Sequence, residues 1–337
     1  MVALLPHTSV VSNGASDDPF VTRFHSLDRR VVNRRRGPVP ALLGNWEQWK
    51  SFIEDAVRED ARPSRELIAA NRQLAAWEAH LGVGRVSSFP ESIAFAFTGV
   101  CNARCVFCAY APERTTGYKI TLERIERADW LKFCRVFRAN STLGEPFAHP
   151  HAAEMFSRVR ELAPYINLGC VTNGSLLKPA AIDAITGFFS FLYVSINAAR
   201  KETYEATMRG LSWEQLLYNL AALRDAKAKA RAERPVMQAS YVVHRYSLEE
   251  LPEFPRLIAG FGFQRLMVRL MVPPPNCSIS DGLLSHEDSV TRTPELTDRI
   301  FRELEAECAT YGIQIVRPLP GLDVLRAAAA SPFSIAC

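Results

Sequence analysis

From Ser92 onward, short apolar runs alternate with stretches that have the apolar period of a helix. Helical patterns cover residues 121–133, 152–162, 176–186, 201–232 and 248–259. The six candidate strands are Ile93–Phe97, Arg135–Ala139, Ile166–Val171, Phe191–Ile196, Val236–Val243 and Gln264–Met271. Strands that alternate with helices form a parallel sheet with right-handed crossovers. The sequence therefore predicts an α/β fold, a partial (β/α)6 TIM-like barrel with its chemistry on the loops that follow the strands.

Two segments precede this barrel. Residues 1–40 have no apolar period and carry the basic run Arg34–Arg36, which is typical of a flexible basic tail; a nucleic-acid or partner-binding arm is the alternative. Residues 41–90 are predicted to be a helical N-terminal extension. Apolar stripes at helical spacing follow the N-cap residues Asn45 and Ser64, and the second stripe ends at Gly82.

The chain after the barrel is predicted to be a short C-terminal α/β extension. Thr293 and Pro294 begin a helix with an apolar stripe, and the candidate strand Ile313–Val316 follows. The predicted domain boundaries are thus 1–40, 41–90, 91–275 for the barrel and 276–337.

Composition narrows the class of protein. The 337 residues are 48% hydrophobic and 23% charged, which suits a globular chain with a sizeable core. A net charge of +4 is too small to indicate nucleic-acid binding, so no nucleic-acid partner is expected. No apolar run is long enough to cross a membrane, and no basic region precedes the apolar Met1–Leu5 as a signal peptide requires. We expect a cytoplasmic protein whose cysteines are reduced.

Three cysteines stand within eight residues, directly after the first candidate strand. Cys101, Cys105 and Cys108 have the spacing CxxxCxxC, which brings three thiolates to one loop, called the cysteine loop below (Cys101–Cys108). Soft thiolates favour iron–sulfur clusters, zinc or Cu(I). A 4Fe–4S cluster held by three cysteines leaves one iron open to a further ligand. The alternative is a zinc site completed by His149 or His151.

This motif, with Phe107 before its last cysteine, resembles that of the radical S-adenosylmethionine superfamily. The resemblance implies that the open iron binds the amino and carboxylate groups of S-adenosylmethionine. One electron from the cluster would then yield methionine and a 5′-deoxyadenosyl radical, which abstracts hydrogen from a substrate. Such an enzyme also needs a reductant such as flavodoxin or ferredoxin.

The resemblance also implies which residues contact S-adenosylmethionine. Gly144, Glu145 and Pro146 resemble the Gly-Gly-Glu-Pro motif that holds the amino group, with Leu143 in place of the first glycine. Further polar residues follow later strands in the expected order, and aromatic residues in the cysteine loop would lie near the adenine. Arg209 would reach the carboxylate, or would only be a cation at a helix end. The remaining predicted contacts are Phe107, Tyr110, Asn173, Ser195 and Asn197.

The other five cysteines are predicted to have different roles. Cys134, Cys170 and Cys308 fall in apolar segments and should be buried. Cys277 lies in a loop, either as a hydrogen donor to a substrate radical or without a role. Cys337 resembles the first cysteine of a SPASM or twitch domain, so the chain is expected to stop where that domain would begin. An auxiliary cluster is then possible only if the chain continues past Cys337.

The predicted function is that of a radical S-adenosylmethionine enzyme of oxidoreductase type, acting on a small molecule or a peptide. The alternative is a zinc-stabilised binding or scaffold protein whose basic tail contacts nucleic acid. Position alone singles out candidate residues near the substrate, of which Cys277, Tyr118 and His244 are candidate catalytic residues. The others are Glu113, Arg114 and Lys119.

Overall fold

The computed structural model describes residues 42–108, 117–140, 144–271, 284 and 288–330. Two helices come first, α1 (Trp46–Arg58) and α2 (Arg65–Leu81). Both begin as the sequence predicts, because Asn45 accepts a hydrogen bond from the amide of Gln48 at 2.8 Å and Ser64 caps α2 in the same way. Gly82 ends α2 in the left-handed conformation, with φ of 63°.

The remaining helices and strands alternate along the chain. The strands are β1 (Ser92–Phe95), β2 (Arg104–Cys105), β3 (Val136–Ala139), β4 (Asn167–Thr172), β5 (Phe191–Ser195), β6 (Met208–Arg209), β7 (Val236–Val243), β8 (Arg265–Leu270) and β9 (Gln314–Ile315). The helices are α3 (Leu122–Glu126), α4 (Ala152–Leu162), α5 (Pro179–Phe188), α6 (Lys201–Thr207), α7 (Trp213–Lys229), α8 (Phe254–Ala259), α9 (Pro294–Thr310) and α10 (Leu322–Ala330). None of the helices in the described ranges is long and apolar enough to span a membrane.

Seven strands form one parallel sheet in the order β1-β3-β4-β5-β7-β8-β9, as expected for a partial (β/α) barrel. The α/β fold class and all six predicted strands are confirmed, with ends shifted by one or two residues. The number of strands is corrected from six to seven. The candidate strand of the C-terminal extension joins the barrel sheet as β9, with Leu266 opposite Ile315.

The prediction of one long helix over residues 201–232 is wrong in one respect. The structure divides it into α6 and α7, with the strand β6 between them. β6 pairs antiparallel with β2 in the cysteine loop, and Gly210 then takes a left-handed φ of 85° that an L side chain rarely adopts. Ser212 caps α7. The break between the two helices therefore allows this segment to pair with the cysteine loop.

The core lies between the sheet and the surrounding helices. Side chains alternate along each strand, so Phe137, Leu192 and Met237 are buried against the helices while their neighbours Arg138, Tyr193 and Gln238 face a cavity inside the sheet. Cys134, Cys170 and Cys308 are buried, as predicted. In α2, Asn71 contacts Phe89 and Phe133 and so attaches the N-terminal helices to the barrel.

Candidate functional site

The cysteine loop begins where β1 ends, and polar contacts hold its start in place. The side chain of Asn140 accepts a hydrogen bond from the amide of Phe97 at 3.0 Å and donates one to the carbonyl of Thr98 at 2.8 Å. Gly144 lies against the same carbonyl, with φ of 71°, and a Cβ there would be 2.1 Å from the oxygen of Thr98. The amide of Glu145 donates to the carbonyl of Val100 at 2.8 Å. The loops after β1 and β3 are thus in backbone contact.

The three thiols line one cavity, with Cys101 at its open side. The Sγ of Cys105 lies 3.3 Å from the Sδ of Met208, across the β2–β6 ladder. Burial of the thiol, with smaller contributions from the neighbouring Glu145 and Cys108, raises the pKa of Cys101 to about 11, against the lowering effect of hydrogen bonds from Ala103 and Asn173. Burial raises the pKa of Cys105 well above its ordinary range, with added contributions from Cys108 and Cys101. Without a metal these two thiols are therefore protonated at neutral pH, and metal binding must displace their protons.

The donor set fits an iron–sulfur cluster, although the side chains are not arranged as a finished metal site. Across the described ranges, no three His, Cys, Asp or Glu side chains already converge as metal ligands. Three soft donors on one loop, close enough for each to affect the pKa of another, nevertheless match what a cluster with one open iron requires.

Glu145 joins the loops after β3 and β4. Its carboxylate is buried and accepts hydrogen bonds from the hydroxyl of Thr172 at 2.6 Å and the amide of Asn173 at 2.7 Å, with a longer contact from the amide of Phe147. Burial raises the pKa of Glu145 to about 7, against the lowering effect of these hydrogen bonds. A buried carboxylate of this kind binds an ammonium group favourably, because the cation supplies the charge that water no longer balances.

Three polar residues at the carboxyl ends of β4 and β5 line the cavity. Asn173 donates to the side chain of Asn102 at 3.0 Å, so it contacts the cysteine loop. Asn197 has a left-handed φ of 62°. Its side-chain oxygen accepts a hydrogen bond from the backbone amide of Val242 at 2.9 Å, and its side-chain nitrogen donates one to the Sδ of Met208 at 3.2 Å. Asn197 therefore holds Met208 beside Cys105. The hydroxyl of Ser195 lines the cavity and makes no hydrogen bond within the described residues.

The cavity has a volume of about 410 Å³ and is bounded by the cysteine loop and the carboxyl ends of the strands. Most of the predicted site residues line it: Cys101, Cys105, Phe107, Cys108, Gly144, Glu145, Asn173, Ser195 and Asn197. The tertiary structure thus brings together residues from the carboxyl ends of four strands, β1, β3, β4 and β5, at the position expected for a barrel of this type.

Other predicted residues lie elsewhere. Pro146 is buried at the start of a 3-10 turn beside the cavity, and Arg209 pairs with the backbone of Arg104 without lining the cavity. Tyr118 lines a different cavity next to β1, as does Lys119. The side chain of His244 is fully buried and does not line the site, which does not favour direct contact with substrate. Several predicted residues are outside the described ranges: Tyr110, Glu113, Arg114, Leu143, Cys277 and Cys337.

Sequence reasoning missed several residues that line the cavity. Arg138 and Gln238 face inward from otherwise apolar strands, and Tyr193 does the same from β5. A polar residue at an alternating position inside an apolar strand is the signal that could have found the first two. The cavity is also lined by Arg104, Met208, Arg269 and Arg317.

Comparisons with known proteins agree with this site. The profile of the Radical SAM superfamily matches residues 95–258. The S-adenosylmethionine-dependent nucleotide dehydratase RSAD2 of Danio rerio is 24% identical over 165 residues, which are 48% of this chain and 45% of that protein. A probable GTP 3',8-cyclase of Saccharolobus islandicus is 26% identical over 179 residues, 52% of this chain and 55% of its own. The chain thus spans about half the length of these curated relatives.

Two solved structures have a similar fold. Streptococcus suis SuiB bound to S-adenosylmethionine matches with a TM-score of 0.56 and 14% identity, covering 86% of this chain and 65% of SuiB. The native anSMEcpe structure with bound AdoMet and Cp18Cys peptide matches with a TM-score of 0.50 and 16% identity, covering 67% of this chain and 63% of that one. At these identities the likeness establishes the fold alone.

Proposed function

Because the profile of the Radical SAM superfamily matches residues 95–258, we propose that the chain is a radical S-adenosylmethionine enzyme and cleaves S-adenosylmethionine reductively at a 4Fe–4S cluster held by Cys101, Cys105 and Cys108. The resulting radical would abstract hydrogen from a small molecule or a peptide. The observation that carries this proposal is the shared cavity, in which the three thiols face the buried carboxylate of Glu145.

The residues around the cavity would bind and orient the cofactor. When bound, the cluster and S-adenosylmethionine together supply the electron and the radical precursor that hydrogen abstraction needs. Glu145 would pair with the amino group, and its bonds to Thr172 and Asn173 hold the carboxylate in one orientation. The hydroxyl of Ser195, which has no hydrogen-bond partner among the described residues, would bind a polar group of the cofactor. Phe107 adds an apolar surface to the cavity wall, which helps to exclude water.

The zinc alternative lacks support at its fourth ligand. Both ring nitrogens of His149 are engaged, one with the carbonyl of Ile120 at 3.0 Å and the other with the amide of His151 at 3.1 Å. His151 itself contacts Glu154 at 3.2 Å. A zinc site would have to break these contacts, whereas a three-cysteine cluster would not.

The names of similar proteins suggest two substrate classes. The curated relatives are named for reactions on nucleotides, and two of the similar structures contain peptides, the SuiA precursor and Cp18Cys. Oxidoreductase chemistry, and a flavodoxin or ferredoxin as the source of electrons, remain part of the proposal.

Anaerobic reconstitution with iron and sulfide tests the proposal. We expect about four irons per chain, the broad visible absorbance of an iron–sulfur cluster, and 5′-deoxyadenosine after S-adenosylmethionine and dithionite are added. Cys105→Ala should lose the absorbance and the product. Cys308→Ala is the matched control, since Cys308 is a buried cysteine of α9 outside the cavity. Stoichiometric zinc without deoxyadenosine would refute the proposal.

A further inference from the structure

The cavity that contains the cysteine loop is rich in positive charge. Among the described residues four arginines line it, Arg104, Arg138, Arg269 and Arg317, and the one carboxylate among them is that of Glu145. Glu145 is already engaged by the hydroxyl of Thr172 and by backbone amides. The described part of the cavity therefore holds more cationic than anionic side chains.

These four cations have no anionic partner in the protein as described. No ion pair or side-chain hydrogen bond joins Arg104, Arg138, Arg269 or Arg317 to any residue in the described ranges. The buried Nε of Arg138 has no hydrogen-bond partner in the described part of the chain, and its guanidinium lies over the ring of Tyr193 at 5.5 Å and that of Phe191 at 6.0 Å. Guanidinium groups gathered around a cavity without counter-ions repel one another, so an anionic ligand would be bound favourably there.

Two of the arginines stand at the ends of neighbouring strands. Arg269 is opposite Val242 near the carboxyl end of β8, and Arg317 comes two residues after the end of β9, which pairs with β8 through Leu266 and Ile315. Adjacent strands are about 4.8 Å apart, a distance that long arginine side chains bridge easily. Both residues are exposed at the cavity mouth, where a group entering from solvent would meet them.

This pair lies across the sheet from the proposed cofactor residues. β8 and β9 are at one end of the strand order, whereas the cysteine loop and Glu145 follow β1 and β3 at the other end. S-adenosylmethionine has a single carboxylate, together with a cationic ammonium and sulfonium, so it can neutralise no more than one arginine. The remaining positive charge is therefore available to the substrate.

We infer that the substrate of this site carries a multiply charged anionic group, a phosphate or a set of carboxylates, which Arg269 and Arg317 bind at the cavity mouth. This inference rests on the proposed function, because it names the substrate class of the same site. The planar guanidinium group binds both phosphate and carboxylate through paired hydrogen bonds. Arg138 lies deeper and is available to a second anionic group or to the carboxylate of the cofactor.

Binding of two probes to the full chain without cluster tests the inference. Inorganic pyrophosphate and citrate are titrated by calorimetry at constant ionic strength against the wild type, Arg269→Gln/Arg317→Gln and Arg256→Gln. Arg256 is the matched control, an exposed arginine of α8 outside the cavity with no ion pair to a described residue. We expect the double variant to bind at least tenfold more weakly, since two charge-assisted contacts are lost, and Arg256→Gln to bind as the wild type does.

The preferred probe identifies the anion. Tighter binding of pyrophosphate indicates a phosphorylated substrate, and tighter binding of citrate indicates a polycarboxylate. No binding of either probe, equal binding by the double variant, or equal weakening by Arg256→Gln would overturn the inference. The single variant Arg317→Gln, at an exposed position outside the strands, repeats the test if the double variant does not fold. Because the cluster is absent, failure here is distinct from failure to form deoxyadenosine.

Discussion

Replacing Gly144 with alanine tests how closely the loop after β3 fits the start of the cysteine loop. Gly144 has a left-handed φ of 71°, and an added Cβ would lie 2.1 Å from the carbonyl oxygen of Thr98 and 3.0 Å from the Nδ2 of Asn140. Both neighbours are held in place, because Asn140 bonds to Thr98 and to the amide of Phe97. Neither can move without loss of these hydrogen bonds.

The expected cost has two parts. A left-handed backbone costs an alanine about 1 kcal/mol or somewhat more. The overlap with a backbone carbonyl requires a shift of roughly 1 Å, which costs about 2 kcal/mol by comparison with overpacked cores. Gly144→Ala should therefore lose about 3 kcal/mol from the free energy of unfolding. If displacement of the loop that carries Glu145 costs less free energy than this, the loop should move instead.

Gly117→Ala is the control for the backbone part. Gly117 also has a left-handed φ, of 62°, but a Cβ there meets no atom of the described residues within 4 Å. We expect it to lose only about 1 kcal/mol and to keep its affinity for S-adenosylmethionine. Urea denaturation gives the free energies of unfolding, and calorimetry on the reconstituted proteins gives the affinities. Equal stability and equal affinity in the two variants would show that the close approach at Thr98 does not exist.

Three further predictions concern buried polar groups. Burial raises the pKa of Glu145 from 4.5 to about 7. The free energy of unfolding should therefore rise by roughly 3 kcal/mol as the pH falls from 7 to 4.5, because the folded state binds the proton more tightly. Denaturation of Glu145→Gln at a series of pH values should lack this increase. Asn71→Leu should lose about 3 kcal/mol in urea denaturation, because it leaves backbone groups of Phe89 and Phe133 without partners; an unchanged midpoint would contradict this. Burial lowers the pKa of His244 to about 4, and neither ring nitrogen has a hydrogen-bond partner among the described residues. His244→Leu should therefore keep or raise the thermal stability at neutral pH, and a marked loss of stability would contradict the neutral state of the buried ring.

Local sequence patterns predicted the helices and strands that have a capping residue or an apolar run within their own segment. Asn45 and Ser64 cap the first two helices because their side chains bond amides three residues along the chain. The six longer strands were found because buried strands of a parallel sheet are apolar runs. The strand β9 was predicted, but its place in the barrel sheet was not, and the strand β6 at Met208–Arg209 was missed. Both depend on pairing with a partner distant in sequence.

Part of the candidate site was also predicted from local sequence patterns. The spacing of Cys101, Cys105 and Cys108 is a local property, and the order of Glu145 and Asn173 after successive strands follows from the fold. The placement of His244 and Arg209 outside the cavity was not predicted, since being near a strand end does not determine which way a side chain points.

By itself, the sequence determined the parallel α/β fold and the three-cysteine loop, because apolar period and ligand spacing are set by neighbouring residues. Only the tertiary structure decided which charges enter the cavity. Arg135 and Arg138 are three residues apart, yet Arg135 contacts the surface carboxylate of Glu91 at 3.5 Å, whereas Arg138 lines the cavity with no anionic partner among the described residues. The two faces of a strand differ only once the sheet has curved around its interior, and no local pattern specifies which face that will be.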